Sequence, residues 1–122
     1  MKLTIKKNYE FRRLYSKGKS AFTTRMALYC RKNNSQTSRL GITVSTKIGK
    51  AVHRNRIRRR FREIYRLNSD KISGGYDIII VARVKSRYST YGELEADYLY
   101  LLKKLGIWKN DEEADNSNDK VL

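Results

Sequence analysis

Nine cations stand in twenty residues between Lys47 and Arg66, and seven of them are arginines: Arg54, Arg56, Arg58, Arg59, Arg60, Arg62 and Arg66, with Lys47 and Lys50 ahead of them. One acid, Glu63, interrupts the run. Planar guanidinium groups make forked contacts with phosphate oxygens, so this density points to polyanion binding. The same stretch carries Ile57, Phe61, Ile64 and Tyr65 at i, i+4, i+7 and i+8, an apolar stripe of helical period. A solvated basic tail needs no such stripe. The spacing predicts a helix docked by one side with its guanidinium groups turned outward. On a wheel of 100° per residue, Asn55, Arg59, Arg62 and Arg66 fall about 140–200° from Ile57, with Arg58 at their edge. Arg56 and Arg60 lie on another flank. Arg54 falls near the apolar side, which suits a helix start or a side chain that reaches around.

A protein-borne active site finds little support in the residue types. His53 is the only histidine, so no His pair exists for metal or two-histidine nuclease chemistry. Glu10, Glu63, Asp70, Asp77, Glu93, Glu95 and Asp97 are scattered along residues 1–109. Only Glu93 and Asp97, at i and i+4, have ligand spacing, and helix solubility explains them equally well. Cys30 is the single cysteine, which excludes an internal disulfide and fits a reducing compartment. No Gly-rich phosphate loop, signal peptide or membrane-length apolar run is present, so a soluble, cytoplasmic protein without membrane contact is expected.

The 122 residues suffice for one small core. Net charge is +16, but residues 1–110 hold 27 Lys/Arg against 7 Asp/Glu, a net of +20. Residues 110–122 are polar and acidic without periodicity and are expected to be a disordered tail to a domain spanning 1–109. Asn8 is a candidate cap for a helix to about Lys17, with Phe11, Leu14 and Tyr15 on one side and Gly18 as its stop. Residues 25–32 and 39–46 alternate as strands. A short polar loop joins them, so an antiparallel pair is the simplest expectation. The basic helix follows over about Ala51–Leu67. Tyr76–Val84 is apolar without alternation, the mark of a central strand covered on both faces. Thr90 and Glu93 have capping-box spacing ahead of a last helix bearing Leu94, Tyr98, Leu101, Leu102 and Leu105, with Gly106 at its end. The expected class is α+β, helices on a small, mainly antiparallel sheet.

Tyr29 and Arg31 point away from the apolar set Met26, Leu28 and Cys30. Phe11 and Tyr15, one helical turn apart, are candidates to lie beside them. Aromatics interleaved with arginine make a stacking surface for unpaired bases. Aromatics at i, i+4 are more often core than ligand platform, and spacing alone leaves both open.

Leu40-Gly-Ile-Thr-Val-Ser45 followed by Lys47-Ile-Gly-Lys-Ala-Val-His-Arg-Asn-Arg-Ile-Arg-Arg59 closely resembles the bacterial ribonuclease P protein family, including its Arg-Asn-Arg motif. The resemblance extends over about residues 4–107. It takes in Phe11-x-x-x-Tyr15-x-x-Gly18, the Tyr29 strand and Tyr76-Asp-Ile-Ile-Ile-Val-Ala-Arg83. It implies an α+β domain with a left-handed βαβ crossover through the basic helix. It further implies an accessory subunit of a ribonucleoprotein endonuclease that removes the 5′ leader from precursor tRNA. The catalyst is then RNA, magnesium is held by that RNA, and the protein alone binds no cofactor. By position, Arg54, Asn55, Arg56, Arg58, Arg59 and Arg62 match the face toward the catalytic RNA, with Lys47 at its approach. Lys50 and Arg66 join them on charge. Phe11, Tyr15, Ala27, Tyr29 and Thr43 match a cleft for the single-stranded leader, with Arg31 added from the alternation. Tyr15 stands where the family often has Phe. A ribosomal or other structural RNA-binding protein would fit the charge but not the motif, and a self-sufficient nuclease lacks its acid–base cluster.

Overall fold

The computed structural model describes residues 4–109, so the expected acidic tail at 110–122 lies outside the described residues. Seven elements follow in order: α1 (Asn8–Lys17), β1 (Lys19–Phe22), β2 (Met26–Lys32), β3 (Arg39–Thr43), α2 (Ala51–Leu67), β4 (Tyr76–Ala82) and α3 (Tyr91–Lys104). Short 3-10 turns lie at Thr46–Ile48, Ser69–Lys71 and Val84–Tyr88. The class is α+β, as the sequence implies.

The sheet order is β1-β2-β4-β3. β1 and β4 flank β2 antiparallel, whereas β3 runs parallel to β4 on its other side. The expected β2–β3 hairpin is therefore incorrect. The reason lies in β4: Ile78, Ile79 and Ile80 are apolar toward both faces, and such a strand belongs at the sheet centre with a neighbour on each edge. The six residues 33–38 are long enough to step across it, since two strand spacings amount to ~10 Å. Asn33 secures the step: its N–H donates to Gly75 O at 2.7 Å and its Nδ2 donates to Asp77 Oδ1 at 2.8 Å. β1 is an added strand, four residues long, turning into β2 through Thr23-Thr24-Arg25.

Two apolar layers sandwich the sheet. On one face Met26, Leu28, Cys30, Ile78 and Ile80 pack with Ile57, Phe61 and Ile64 of α2 and with Leu94, Tyr98, Leu101 and Leu102 of α3. On the other, Ile79 meets Leu14 of α1 and Ile5, with Phe11, Tyr29 and Val81 half-buried around them. One isoleucine in the middle of β4 thus faces α1, while its two neighbours face α2 and α3.

The caps differ in detail from expectation. Lys7, not Asn8, caps α1, because the Glu10 carboxylate reaches back to the Lys7 N–H at 3.4 Å and Asn8 is already helical. Gly18 does end α1, but with φ −84°, so no left-handed turn is involved. A Cβ at Gly18 would lie 2.7 Å from both Cys30 O and Leu14 O, so close approach of α1 to β2 is what demands glycine. Gly106, at φ +76°, ends α3 in the left-handed region as expected. The capping box at α3 is formed: Glu93 N–H donates to Thr90 Oγ1 at 3.1 Å and Thr90 N–H to Glu93 Oε1 at 2.9 Å.

Candidate nucleic-acid interface

α2 separates its faces as the wheel requires. Ile57, Phe61 and Ile64 are buried, Tyr65 is half-buried, and Asn55, Arg59, Arg62 and Arg66 are exposed. Lys50 caps the helix and the first turn holds no acid, so cations crowd the positive end of the helix dipole. That arrangement opposes folding and is relieved by a bound polyanion.

The individual cations are not equivalent. Arg54 does reach around the helix start, its Nε donating to Gly49 O at 3.1 Å. Arg58 Nη1 donates to Asn55 Oδ1 at 3.1 Å, which orients both toward solvent. Arg56 Nη2 lies 3.3 Å from His53 Nδ1. Partial burial, then the charges of Arg87, Arg56 and Lys50, push His53 below its ordinary range, so it is neutral near pH 7. Arg60 turns inward to Ser89 O at 3.0 Å and serves the fold. Arg66 pairs with Glu63 at 2.7 Å and 3.2 Å, which offsets much of its charge. Lys47 and Lys50 are exposed on the approach to the helix.

Across the sheet, the aromatic candidates meet. Tyr15 lies edge-on to Tyr29 with ring centroids 4.9 Å apart, and Phe11 lies 6.3 Å from Tyr15. The Tyr15 hydroxyl and Thr43 Oγ1 share a hydrogen bond of 2.9 Å, tying α1 to β3. Tyr15 is 40% exposed. Phe11 is more committed to packing: a Cβ on Gly41 would come within 2.9 Å of its Cζ, so its ring rests on the bare backbone of β3. Ala27 and Thr43 flank Val81 in the strand register, one row along from Tyr29, Ile79 and Gly41. Arg31 stands one row the other way, opposite Asp77.

That last row anchors α1. Arg39 donates through Nε and Nη2 to Asp77 at 2.9 and 2.6 Å, and through Nη1 to Glu10 at 2.9 Å. Burial acts to raise both carboxyls, but the Arg39 and Asn33 hydrogen bonds hold Asp77 below its usual range, and Arg39 with the backbone near Lys7 does so for Glu10. The pairing fixes the angle at which α1 presents Phe11 and Tyr15. The two acids with metal-ligand spacing are likewise occupied: Glu93 and Asp97 pair with Arg25 at 3.3 and 3.4 Å, and Thr23 donates to Asp97 at 2.8 Å. Among the described residues no three His, Cys, Asp or Glu cluster to hold a metal. Cys30 is buried, and burial pushes its thiol up.

A groove of about 640 Å³ along the β3 edge is lined by Arg58 and Arg62 of α2, Leu40 and Ile42 of β3 and Phe11 of α1, the one cleft candidate that borders it. Guanidinium groups from α2 and an aromatic from α1 thus line one continuous depression. The family model described as Ribonuclease P matches residues 1–106. The chain belongs to the ribonuclease P protein family. The ribonuclease P protein component of Clostridium novyi is 47% identical over 106 residues, 85% of this chain and 94% of that one. The ribonuclease P protein structure from Staphylococcus aureus superposes with a TM-score of 0.81 at 34% identity, covering 89% of this chain and all of that one. That from Thermotoga maritima gives 0.77 at 33%, covering 83% and 96%. As a ribonuclease P protein subunit, the chain associates with the ribonuclease P RNA and acts in tRNA processing. No helix among the described residues is long and apolar enough to cross a membrane.

The row containing Ala27 and Val81 continues beyond the expected cleft. Phe22 of β1 is the partner of Ala27, and it is 65% exposed on the same face. Neither Val81 nor Phe22 is visible as a site residue without the strand order. A β1–β2 hairpin over Lys19–Lys32 would have been the signal for Phe22.

Proposed function

We propose that this subunit holds two RNAs at once. The outer face of α2 (Arg54, Asn55, Arg56, Arg58, Arg59 and Arg62, approached by Lys47 and Lys50) lies on the catalytic RNA. The α1–sheet cleft (Phe11, Tyr15, Ala27, Tyr29, Arg31 and Thr43) takes the single-stranded 5′ leader of precursor tRNA. Arg66 contributes least, because Glu63 already pairs with it. Hydrolysis belongs to the RNA component with the magnesium it binds. The polypeptide supplies cations that offset repulsion between two polyphosphate chains, and rings that add affinity without a strong sequence demand. The cytoplasm, where a lone thiol such as Cys30 stays reduced, is the compartment this reading implies.

The groove along the β3 edge carries the proposal. It is lined by Arg58 and Arg62 of α2 together with Phe11 of α1, so a strand leaving the RNA-facing helix along it would meet Phe11 at the border of the aromatic cleft.

Purified protein incubated with precursor tRNA should leave it intact. Catalytic RNA alone at low magnesium should cleave slowly, and adding the protein should raise that rate sharply at the mature 5′ end. Cleavage there by RNA-free protein, with contaminating nucleases excluded, would refute this division of labour.

A further inference from the structure

Phe22 is not an ordinary scattered surface apolar residue, which would need no explanation. It closes a row that runs across the whole sheet, Thr43–Val81–Ala27–Phe22, each residue the direct strand partner of the next. Three strand spacings separate its ends, ~14 Å. At the Thr43 end stands Tyr15. Between them Ala27 and Val81 offer small, half-buried side chains and form a low floor. At the other end the Phe22 ring is 65% exposed, with the Arg83 guanidinium carbon 5.3 Å from its centroid. Arg83 Nη1 is itself held by Thr23 O at 3.4 Å. An aromatic face beside a positioned cation, at the end of an apolar floor, is the chemistry that receives an unpaired base and its phosphate.

We propose that Phe22 is a further base-stacking position, taking a leader nucleotide more distant from the cleavage site than those that meet Tyr15 and Tyr29. The inference rests on the cleft reading above and extends it. Its direction follows from the fold. α2, the face assigned to the catalytic RNA, packs beside β3, whereas Phe22 lies on β1 at the opposite edge of the sheet. A strand entering past Arg58 and Arg62 reaches Tyr15 and Thr43 first and Phe22 last.

The test uses reconstituted holoenzyme and one precursor tRNA with leaders of stepwise increasing length, comparing the protein with Phe22→Ala, Phe22→Trp and Tyr29→Ala. Phe22→Ala should match the parent on short leaders and lose roughly 5-fold or more in affinity beyond a threshold length. Phe22→Trp should retain the affinity, and Tyr29→Ala should lose it from shorter leaders onward. Melting temperature should stay unchanged in Phe22→Ala, because the ring is largely exposed. Parental affinity of Phe22→Ala at every length, beside a loss in Tyr29→Ala, would overturn the Phe22 position and leave the cleft standing. No loss in either variant would overturn both. An equal loss of Phe22→Ala on leaderless tRNA would also overturn the position, since the ring would then act on something other than the leader.

Discussion

Phe61→Ala is expected to cost ~3–5 kcal/mol of folding stability, the range for emptying a large aromatic site in a packed core. Phe61 is fully buried at the centre of α2, where the helix meets the sheet layer formed by Leu28, Ile78 and Ile80. No backbone shift can close the space cheaply, because α2 is also held by Ile57 and Ile64 on the same stripe. A domain of this size is stable by ~5–15 kcal/mol, so the loss takes a large share. Urea titration of the protein without RNA reads it as a lower midpoint at unchanged slope. A loss below about 1 kcal/mol would mean that the stripe is not what docks the helix. Binding of the ribonuclease P RNA should partly rescue the variant, because the RNA binds only the folded form.

Replacing Arg58, Arg59 and Arg62 together by Ala should do the reverse. These side chains stand away from the buried stripe, and stability should hold within about 0.5 kcal/mol of the parent. Affinity for the ribonuclease P RNA should fall, and the logarithmic salt dependence of binding should flatten by roughly two to three in slope. Each lost phosphate contact removes about 0.7–0.9 of a released counterion. The measurement is a set of dissociation constants across monovalent salt for parent and triple variant. Parallel salt lines for the two proteins would remove this face of α2 from the interface. Arg60→Ala is the informative contrast: its guanidinium serves Ser89 O, so the slope should be unaffected.

The two variants lie within one helix, and that helix was legible from the chain down to its ends. The period of Ile57, Phe61 and Ile64 fixes its buried side, and the charge density fixes the other. The capping box at Thr90 and the double-faced apolar run of β4 were equally plain, because each is a local pattern with one physical solution. Strand order was not. Alternation in β2 and β3 says which side chains share a face, but not which strand lies beside which, and the polar loop at 33–38 suits a hairpin as well as a step across β4. β1 stayed hidden because Thr23-Thr24-Arg25 has no Gly, Pro or Asn to mark a turn, and four residues carry too little pattern. Phe22 went with it. The aromatics of the cleft fell between these cases: i, i+4 spacing placed Phe11 and Tyr15 together, while the Tyr15–Thr43 hydrogen bond and the seat of Phe11 on Gly41 join residues far apart in the chain. Phe11 and Tyr29 are half-buried against the Ile5–Leu14–Ile79 cluster and Tyr15 is the exposed ring, so packing accounts for part of the spacing and leaves Tyr15 the most open to a ligand.

The claim that the polypeptide holds the leader while the RNA performs the reaction is tested most directly by substrate affinity. Dissociation constants should be measured for leader-bearing precursor tRNA and for leaderless mature tRNA, each with catalytic RNA alone and with the holoenzyme, at one fixed salt and magnesium concentration. The protein should tighten binding of the leader-bearing RNA by about thirtyfold or more, as about two stacked bases at ~1–3 kcal/mol each require, and leave mature tRNA nearly unchanged. Equal tightening of both RNAs would contradict the account, because the protein would then act on the tRNA body or on the catalytic RNA alone and the α1–sheet cleft would hold no leader.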